Sequence, residues 1–208
     1  EAGFLTLSGQ LPDGKGGRGM SYAIVVRPVL PQGGTLITRG DELLVINAPT
    51  IELYIAHNTN YYDKRLPVMA RSIEQTLQAK AVGEASLFAE HVQRFTAQMD
   101  RVQARFLGSD PALSLLPIQR RLIAYYEHPE RDPALAALYM QLGRYLLLSS
   151  TRPDALPPNL QGIWTETIQA PWNGDYHLNI NLQMNYWPAE KGALPETVGA
   201  LTDWVESI

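Results

Sequence analysis

Ten residues, 177–186, alternate between polar and apolar side chains without a break. The polar positions are His177, Asn179, Asn181, Gln183 and Asn185, and four of these five carry neutral amides. Aromatic residues flank the run on both sides. Because an amide offers both a donor and an acceptor, a row of amides beside indole rings suits neutral ligands rich in hydroxyl groups. Sugars are the commonest ligands of that kind.

The spacing of the amides predicts their backbone. Side chains two residues apart share a face only in extended backbone, whereas on a helix they diverge by about 200°. The alternation therefore favours an extended stretch through Asn181, with His177 and Asn179 on the same face. Two alternatives stay open. Asn181 and Asn185 are four apart and would also fit the start of a helix, and the amides would also serve to cap turns.

The same region resembles a known family signature. The matching stretches are Asn159–Trp164, Pro171-Trp172 and Asp175–Glu190, with weaker similarity at residues 9–14 and 143–147. The signature is that of glycoside hydrolase family 95, which contains α-L-fucosidases and some α-L-galactosidases. The sequence departs from it at Thr165, where the family has Asn, and this would alter a local hydrogen bond.

The resemblance implies roles for individual residues. Asn181 and Asn179 are the predicted catalytic residues, the first positioning and activating the attacking water and the second holding the sugar beside it. His177, on the same predicted face, is expected to hydrogen-bond a sugar hydroxyl. Trp172 and Trp164 lie in loops before the motif and are candidates for stacking on the sugar, although a large aromatic residue also commonly anchors a core. Trp204 lies near a helical stripe and is predicted to be core.

Three carboxylates near the motif are candidates for the acid and the base. Asp175 and Glu190 flank the motif and Glu166 is nearby, so the first two would make an acid–base pair. However, Asp175 follows an Asn-Gly turn signal, where aspartate often bonds backbone, and Glu190 would cap the next element. The resemblance instead implies that the general acid and the carboxylate partner of Asn181 lie beyond the position matching Ile208.

Other polar clusters are predicted to be structural. Asn159, Gln161 and Gly162 are expected to brace the motif loop, with Gly162 permitting a close backbone contact, and ligand contact is the alternative for these residues. The glycine-rich segment 14–19 lacks the context of a phosphate loop and is predicted to be a hairpin turn. With scattered histidines and no cysteine, no metal site is predicted, and no cofactor is expected.

Composition excludes several classes of protein. The 208 residues are 45% hydrophobic and 18% charged, with net charge −4, so the basic footprint of a nucleic-acid binder is absent. The absence of cysteine excludes disulfides. No apolar run approaches the roughly 18 residues of a membrane span. The expected partner is a fucosylated oligosaccharide or glycan, without nucleic acid or membrane. Oligomeric state stays open, and the family implies a periplasmic or secreted location.

Hydrophobic periodicity changes along the chain from 2 to 3.6. Residues 1–62 contain predicted strands at 4–7, 22–26, 35–38, 42–46 and 51–55, residues 63–111 form a helical linker, and residues 112–208 are α-rich. This order predicts an α+β multidomain chain. The resemblance implies a β-sandwich portion, the linker and the first helices of an (α/α)6 toroid, so that the chain is an internal part of a longer protein.

Two helices carry detailed expectations. In the linker, Gly83 is expected to separate two helices, and one helical face is predicted to contain Leu87, His91, Phe95, Val102 and Phe106. A further helix is predicted from Pro133 to about Leu148, with Asp132 as its N-cap. Its predicted buried stripe is Leu135, Leu138, Leu142, Tyr145 and Leu146.

The sequence thus favours part of an inverting, exo-acting α-L-fucosidase that removes terminal α-linked fucose and is inactive as this fragment alone. Two alternatives remain. One is a non-catalytic sugar-binding or scaffold domain that kept the amide row, and the other is an α-L-galactosidase on the same fold.

Overall fold

Strands precede helices in the chain, as the change in periodicity predicts. A computed structural model describes residues 3–153, 155–167 and 169–208. Over these residues the class is α+β. The chain divides into two compact units, with the boundary between residues 93 and 94. The predicted division at residues 62 and 111 stays a prediction.

The first unit is built on antiparallel strands. Those in the described residues are β1 (Leu5–Pro12), β2 (Arg18–Val29), β3 (Thr35–Arg39), β4 (Glu42–Ile46) and β5 (Glu52–Thr59). They form a three-stranded sheet in the order β1-β2-β5 and a separate β3-β4 hairpin. The glycine-rich segment lies in the β1–β2 turn, where the Asp13 carboxylate accepts hydrogen bonds from the backbone of Lys15 and Gly17. The predicted strands and the hairpin turn are therefore confirmed.

One helix, α1 (Val68–Val82), packs on this sheet. Its contact residues are small and polar, with Ser72 and Thr76 almost completely buried. Ser72 Oγ accepts a hydrogen bond from Asn58 Nδ2 at 2.8 Å, and Thr76 Oγ1 accepts one from Arg27 Nε at 3.2 Å. On β2, Ala23 and Val25 are fully buried. The small side chains let the helix lie close to the sheet.

The linker helices meet at Gly83, as predicted. α1 ends there, and α2 (Glu84–Met99) follows at once. Gly83 has φ +84° and ψ 154°, a region that is essentially restricted to glycine. The predicted helical face is wrong in its second half, because α2 ends at Met99 and leaves Val102 and Phe106 in irregular backbone.

The second unit is helical. Beyond α2, its described helices are α3 (Pro111–Ser114), α4 (Ile118–Glu127), α5 (Pro133–Ser150), α6 (Asn181–Tyr186), α7 (Pro188–Lys191) and α8 (Val198–Glu206). Short 3₁₀ turns occupy Pro129–Arg131, Pro171–Gly174 and Pro195–Thr197. None of the helices among the described residues has both the length and the apolar character that a membrane crossing requires.

The start of α5 is confirmed, but its capping differs from the prediction. Asp132 occupies the N-cap position without capping the helix through its side chain. Its buried carboxylate instead binds Arg121 bidentately, at 2.6 and 2.9 Å. Ser109 supplies the cap, because its Oγ accepts the backbone N–H of Ala134 at 2.9 Å. The bidentate ion pair with Arg121 thus engages the carboxylate in place of the helix end.

The predicted buried stripe of α5 is wrong apart from Leu135. Leu138, Leu142, Tyr145 and Leu146 are between 40% and 47% exposed. The buried residues of the helix are Leu135, Ala137, Arg144, Leu147 and Ser150. The buried face is therefore rotated relative to the apolar stripe, because it is centred on a buried arginine.

Arg144 joins three segments of the second unit. Its guanidinium donates to the backbone carbonyls of Gln98, Met99 and Val102 after the last turns of α2, and to that of Gly192 after α7. It also donates to the side chain of Gln141. Burial, which removes the guanidinium from water, lowers the pKa of Arg144 from its ordinary value, and the charge of Arg101 acts in the same direction.

Candidate functional site

The candidate site begins at a strained turn. Within Pro171–Gly174, Trp172 has φ 54° and Asn173 has φ 58°, and Gly174 follows with φ 57°. Glycine adopts this left-handed region freely and asparagine tolerates it, so the strain falls mainly on Trp172 and costs about 1–3 kcal/mol. Backbone strain of this kind concentrates at functional sites.

The turn brings Trp172 against His177. The two rings meet edge to face, with centroids 6.0 Å apart and planes at 79°. Trp172 is 74% exposed, so most of its indole is free to contact a ligand. On its other side, His177 Nε2 lies 2.7 Å from Asp175 Oδ1. A neutral imidazole that donates from Nε2 keeps Nδ1 as an acceptor, which a ligand hydroxyl would use.

The predicted extended stretch from His177 to Asn181 is wrong. Residues 178–180 form a turn and Asn181 is the first residue of α6, which matches the helix alternative. The turn is closed by the backbone N–H of Leu182, which donates to the carbonyl of His177 at 3.1 Å. The parity argument for a shared face therefore does not apply, and the joint role of these side chains stays a prediction.

Burial explains why the alternation misled. Leu182, Tyr186 and Ala189 are buried, whereas Leu178 and Met184 are 54% and 51% exposed. The buried positions follow i, i+4 and i+7, the period of a helix. Residues four apart lie on the same face of a strand as well as of a helix. Apolar residues at positions 182 and 186 therefore fit either structure.

Both predicted catalytic amides are available to a ligand. Asn179 is exposed and Asn181 is half-buried. Among the described residues neither side chain has a hydrogen-bond partner, whereas the amide of Gln183 donates to the carbonyl of Leu178 and that of Asn185 to the carbonyl of Pro158. Gln183 and Asn185 thus hydrogen-bond to the backbone, whereas the side chains of Asn179 and Asn181 remain available to a ligand.

The upstream half of the motif folds as a tight turn. Asn159 Oδ1 accepts the backbone N–H of Gln161 at 2.8 Å, which is the bracing role predicted for Asn159. Gly162 has φ 64°, and the ring of Trp164 lies so close that an added Cβ would come within 2.8 Å of it. The predicted close contact at Gly162 is confirmed. Trp164 itself is 48% exposed.

The motif is fastened to this turn and to the core behind it. Tyr176 Oη donates to the carbonyl of Pro157 at 2.8 Å, and its ring lies 4.5 Å from that of Trp204. Trp204 is 6% exposed, which confirms its prediction as core. Site residues on the 171–181 segment are therefore positioned by one aromatic pair and by bonds to the proline pair at 157–158.

Of the local carboxylates, only Asp175 contacts a predicted site residue among the residues described. Its carboxylate binds the imidazole rather than backbone, so the predicted turn role was wrong. The signal was present in the sequence as an Asp-x-His spacing. Glu190 lies exposed in α7 and Glu166 is exposed in a loop. Over the described part of the chain, no three His, Asp or Glu side chains group as a metal site would require.

Comparison with known proteins gives this site a family. Residues 83–208 match the model of the glycosyl hydrolase family 95 catalytic domain. That range covers more than half of the chain and includes every predicted site residue. The chain belongs to glycoside hydrolase family 95.

Named relatives agree with this family 95 assignment. "Alpha-L-fucosidase 2" of Arabidopsis thaliana is 29% identical over 92% of this chain and 24% of its own length. "Probable alpha-fucosidase A" of Aspergillus oryzae is 31% identical over 99% of this chain and 30% of its own. The protein of the same name from Aspergillus niger is 52% identical over 36% of this chain. The chain thus spans about a quarter to a third of the first two relatives.

Proposed function

We propose that this chain is part of an inverting, exo-acting α-L-fucosidase that hydrolyses terminal α-linked L-fucose from oligosaccharides or glycoconjugates. Family 95 membership and the names of the relatives support the reaction class. The observation that carries the proposal is the His177 cluster: an imidazole oriented by Asp175 and lying against an exposed indole, with the two unengaged amides of Asn179 and Asn181 following within four residues of the chain. Water bonds to the anomeric carbon of fucose and gives a proton to a base, while the bond from that carbon to the glycan oxygen breaks and the released oxygen takes a proton from an acid.

The binding roles follow from the available atoms. Trp172 presents an exposed ring for the apolar face of the sugar. His177 accepts from a sugar hydroxyl through Nδ1, because its Nε2–H donates to Asp175. Asn179 binds a second hydroxyl, and Trp164 adds an apolar contact at the neighbouring turn. All of these groups are neutral or charge-paired, as recognition of an uncharged sugar requires.

Asn181 is proposed to hold the attacking water. An amide does not remove a proton unaided at neutral pH, so a carboxylate must polarise Asn181 or the water. Inverting glycosidases place two carboxyl groups about 6.5–9.5 Å apart. The family resemblance implies that both the general acid and this carboxylate lie in parts of the enzyme outside these 208 residues, and the binding of Asp175 to His177 agrees with that assignment.

The proposed architecture is a β-sandwich portion, a linker and the first helices of an (α/α)6 toroid, with boundaries near residues 62 and 111. Apolar faces support it. On the sheet face opposite α1, Leu7, Leu53 and Ile55 are 58–61% exposed, and Leu138 and Leu142 are exposed along α5. Further strands and helices of a longer protein would cover these faces.

Replacement of Asn181 tests the mechanism. In the full-length enzyme, Asn181→Ala is expected to lower kcat by about 10²–10⁴-fold with little change in KM, because a water-activating group acts mainly in the transition state. Gln78→Ala, an exposed amide on α1, is the matched control and should leave both constants unchanged. A rise in KM at constant kcat would assign Asn181 to binding alone. Fucoside binding without turnover by the wild type would identify a non-catalytic sugar-binding protein.

The 208-residue chain alone is expected to release no fucose, because both catalytic carboxyls lie elsewhere in this proposal. The measurement is fucose release from an α-L-fucoside by the purified chain and by the full-length enzyme. Turnover by the chain comparable to that of the enzyme would contradict the assignment, and Asp175 and Glu190 would then be the first carboxylates to replace. An L-galactoside assayed in parallel separates the two family activities.

A further inference from the structure

A cavity of about 300 Å³ lies between the C-terminal half of α5, the turn at 158–164 and Asn185 of α6. Its size is at the lower end of small-molecule sites. The lining combines apolar surface from Leu146 and Leu147 with the exposed indole of Trp164 and the amides of Gln161 and Asn185. A mostly apolar wall with a few convergent polar groups is typical of a ligand site.

One atom in this wall lacks a partner. Gln161 Oε1 is buried and has no hydrogen bond among the described residues. Native proteins satisfy nearly all such atoms, and an exception calls for an explanation. Turned toward the cavity that its residue lines, this oxygen would accept from a hydroxyl group of a bound ligand. The neighbouring Asn159 is already engaged in the turn, so Gln161 is the amide that the fold leaves for a ligand.

A glycine in the opposite wall points to the same conclusion. Gly143 lies in the interior of α5, where glycine costs stability relative to alanine. A Cβ at this position would meet nothing within 4 Å, so no close packing demands the glycine. Since Gly143 also lines the cavity, its missing side chain keeps space open there.

The cavity also adjoins the proposed reaction centre. Asn185 lies on α6 four residues after Asn181, on the same helical face and about 6 Å further along the axis. That offset is about one sugar unit. Resting on the proposed function, we infer that this cavity is a second subsite, which binds the neutral sugar unit that carries the fucosyl residue. In it Gln161 accepts from a hydroxyl, Asn185 offers its remaining amide atoms, and Trp164 contacts the ring face.

Two substrates separate this subsite from the fucose site. A fucosyl trisaccharide fills both, whereas α-L-fucosyl fluoride has a leaving group too small to occupy the cavity. In the full-length enzyme, Gln161→Leu is expected to lower kcat/KM for the trisaccharide by about 3- to 10-fold, the range of a lost neutral hydrogen bond. Its kcat/KM for the fluoride should stay within about twofold of wild type.

A cavity-filling variant gives a second test that removes no contact. Gly143→Leu places a side chain in the open space and should reduce trisaccharide turnover by at least about tenfold while leaving the fluoride unaffected. The matched control is Gly199→Leu on α8, where a Cβ also meets nothing within 4 Å and the residue does not line the cavity. It should change neither rate, and thermal unfolding of all variants confirms that they fold.

The outcomes are distinct. Equal losses on both substrates, or no loss on either in Gly143→Leu, would overturn the subsite. If the wild type hydrolyses neither substrate, the proposed function fails instead. In that case, binding of the defucosylated disaccharide, followed by saturation-transfer NMR, decides the cavity. The site is supported if Gly143→Leu abolishes this binding and Gly199→Leu preserves it. It is refuted if the wild type does not bind the disaccharide.

Discussion

Replacing Arg144 with methionine is expected to lower the free energy of unfolding of the second unit by about 3 kcal/mol. The guanidinium is 3% exposed and makes five hydrogen bonds. Among the described residues, the carbonyls of Met99 and Gly192 have no other donor. The carbonyl of Val102 keeps a bond from Gln141.

The magnitude follows from these two carbonyls. Each buried acceptor left unsatisfied costs about 1–3 kcal/mol, which gives about 2–6 kcal/mol for the pair. Removing the buried charge offsets part of this, because burial already disfavours the charged form of Arg144. A net loss of about 3 kcal/mol, at an m-value near 2 kcal/mol/M, lowers the urea midpoint by about 1.5 M.

Tryptophan fluorescence suits the assay, because all four tryptophans of the 208-residue chain, at 164, 172, 187 and 204, lie in the second unit. Arg144→Lys should also destabilise, since one ammonium group does not reproduce the guanidinium fork. The control is Arg120→Met, an exposed arginine on α4, expected to change stability by less than about 0.5 kcal/mol. If Arg144→Met behaved like this control, or Arg144→Lys like the wild type, the reasoning would be refuted.

Two further predictions concern stability. Arg121 lowers the pKa of Asp132, so the ion pair stabilises fully above the unfolded value of about 3.9 and this contribution is lost as pH falls through the lower folded pKa. Urea unfolding between pH 7 and 2.5 should therefore show a smaller acid-induced loss for Asp132→Asn than for wild type, and parallel curves would contradict this. Gly83→Ala should cost about 1–3 kcal/mol because of its backbone conformation, whereas Gly143→Ala in a helix interior should stabilise by about 0.5–1 kcal/mol. Thermal unfolding by circular dichroism measures both, and the same sign for both would refute the backbone argument.

The sequence predicts elements well where the signal is local. The β2 strand and the β3-β4 hairpin follow from alternation between glycine turns, and the break at Gly83 and the start of α5 at Pro133 follow from backbone chemistry. These signals depend on a few adjacent residues, so they survive without knowledge of the tertiary contacts.

Tertiary contacts decide what the sequence misjudges. The buried face of α5 is set by Arg144, whose partners Met99 and Gly192 lie 45 and 48 residues away in the chain. No local sequence pattern predicts that a cation is buried. In the candidate site, the residue types pointed to the amides and the indole as ligand contacts, and the family resemblance implied their individual roles. The Asp-x-His spacing allowed the pairing of Asp175 with His177 but did not specify it, and the open space beside Gly143 had no signal in the sequence.

If Trp172 binds the sugar as proposed, its left-handed backbone conformation opposes thermostability to ligand recognition. Selection for stability alone would move this position towards glycine, which adopts φ 54° without strain. That change would also remove the indole that lies against His177. Engineering for heat resistance would therefore favour a substitution here that weakens the enzyme, as expected where stability and activity trade off. A screen that measures only melting temperature would select against Trp172.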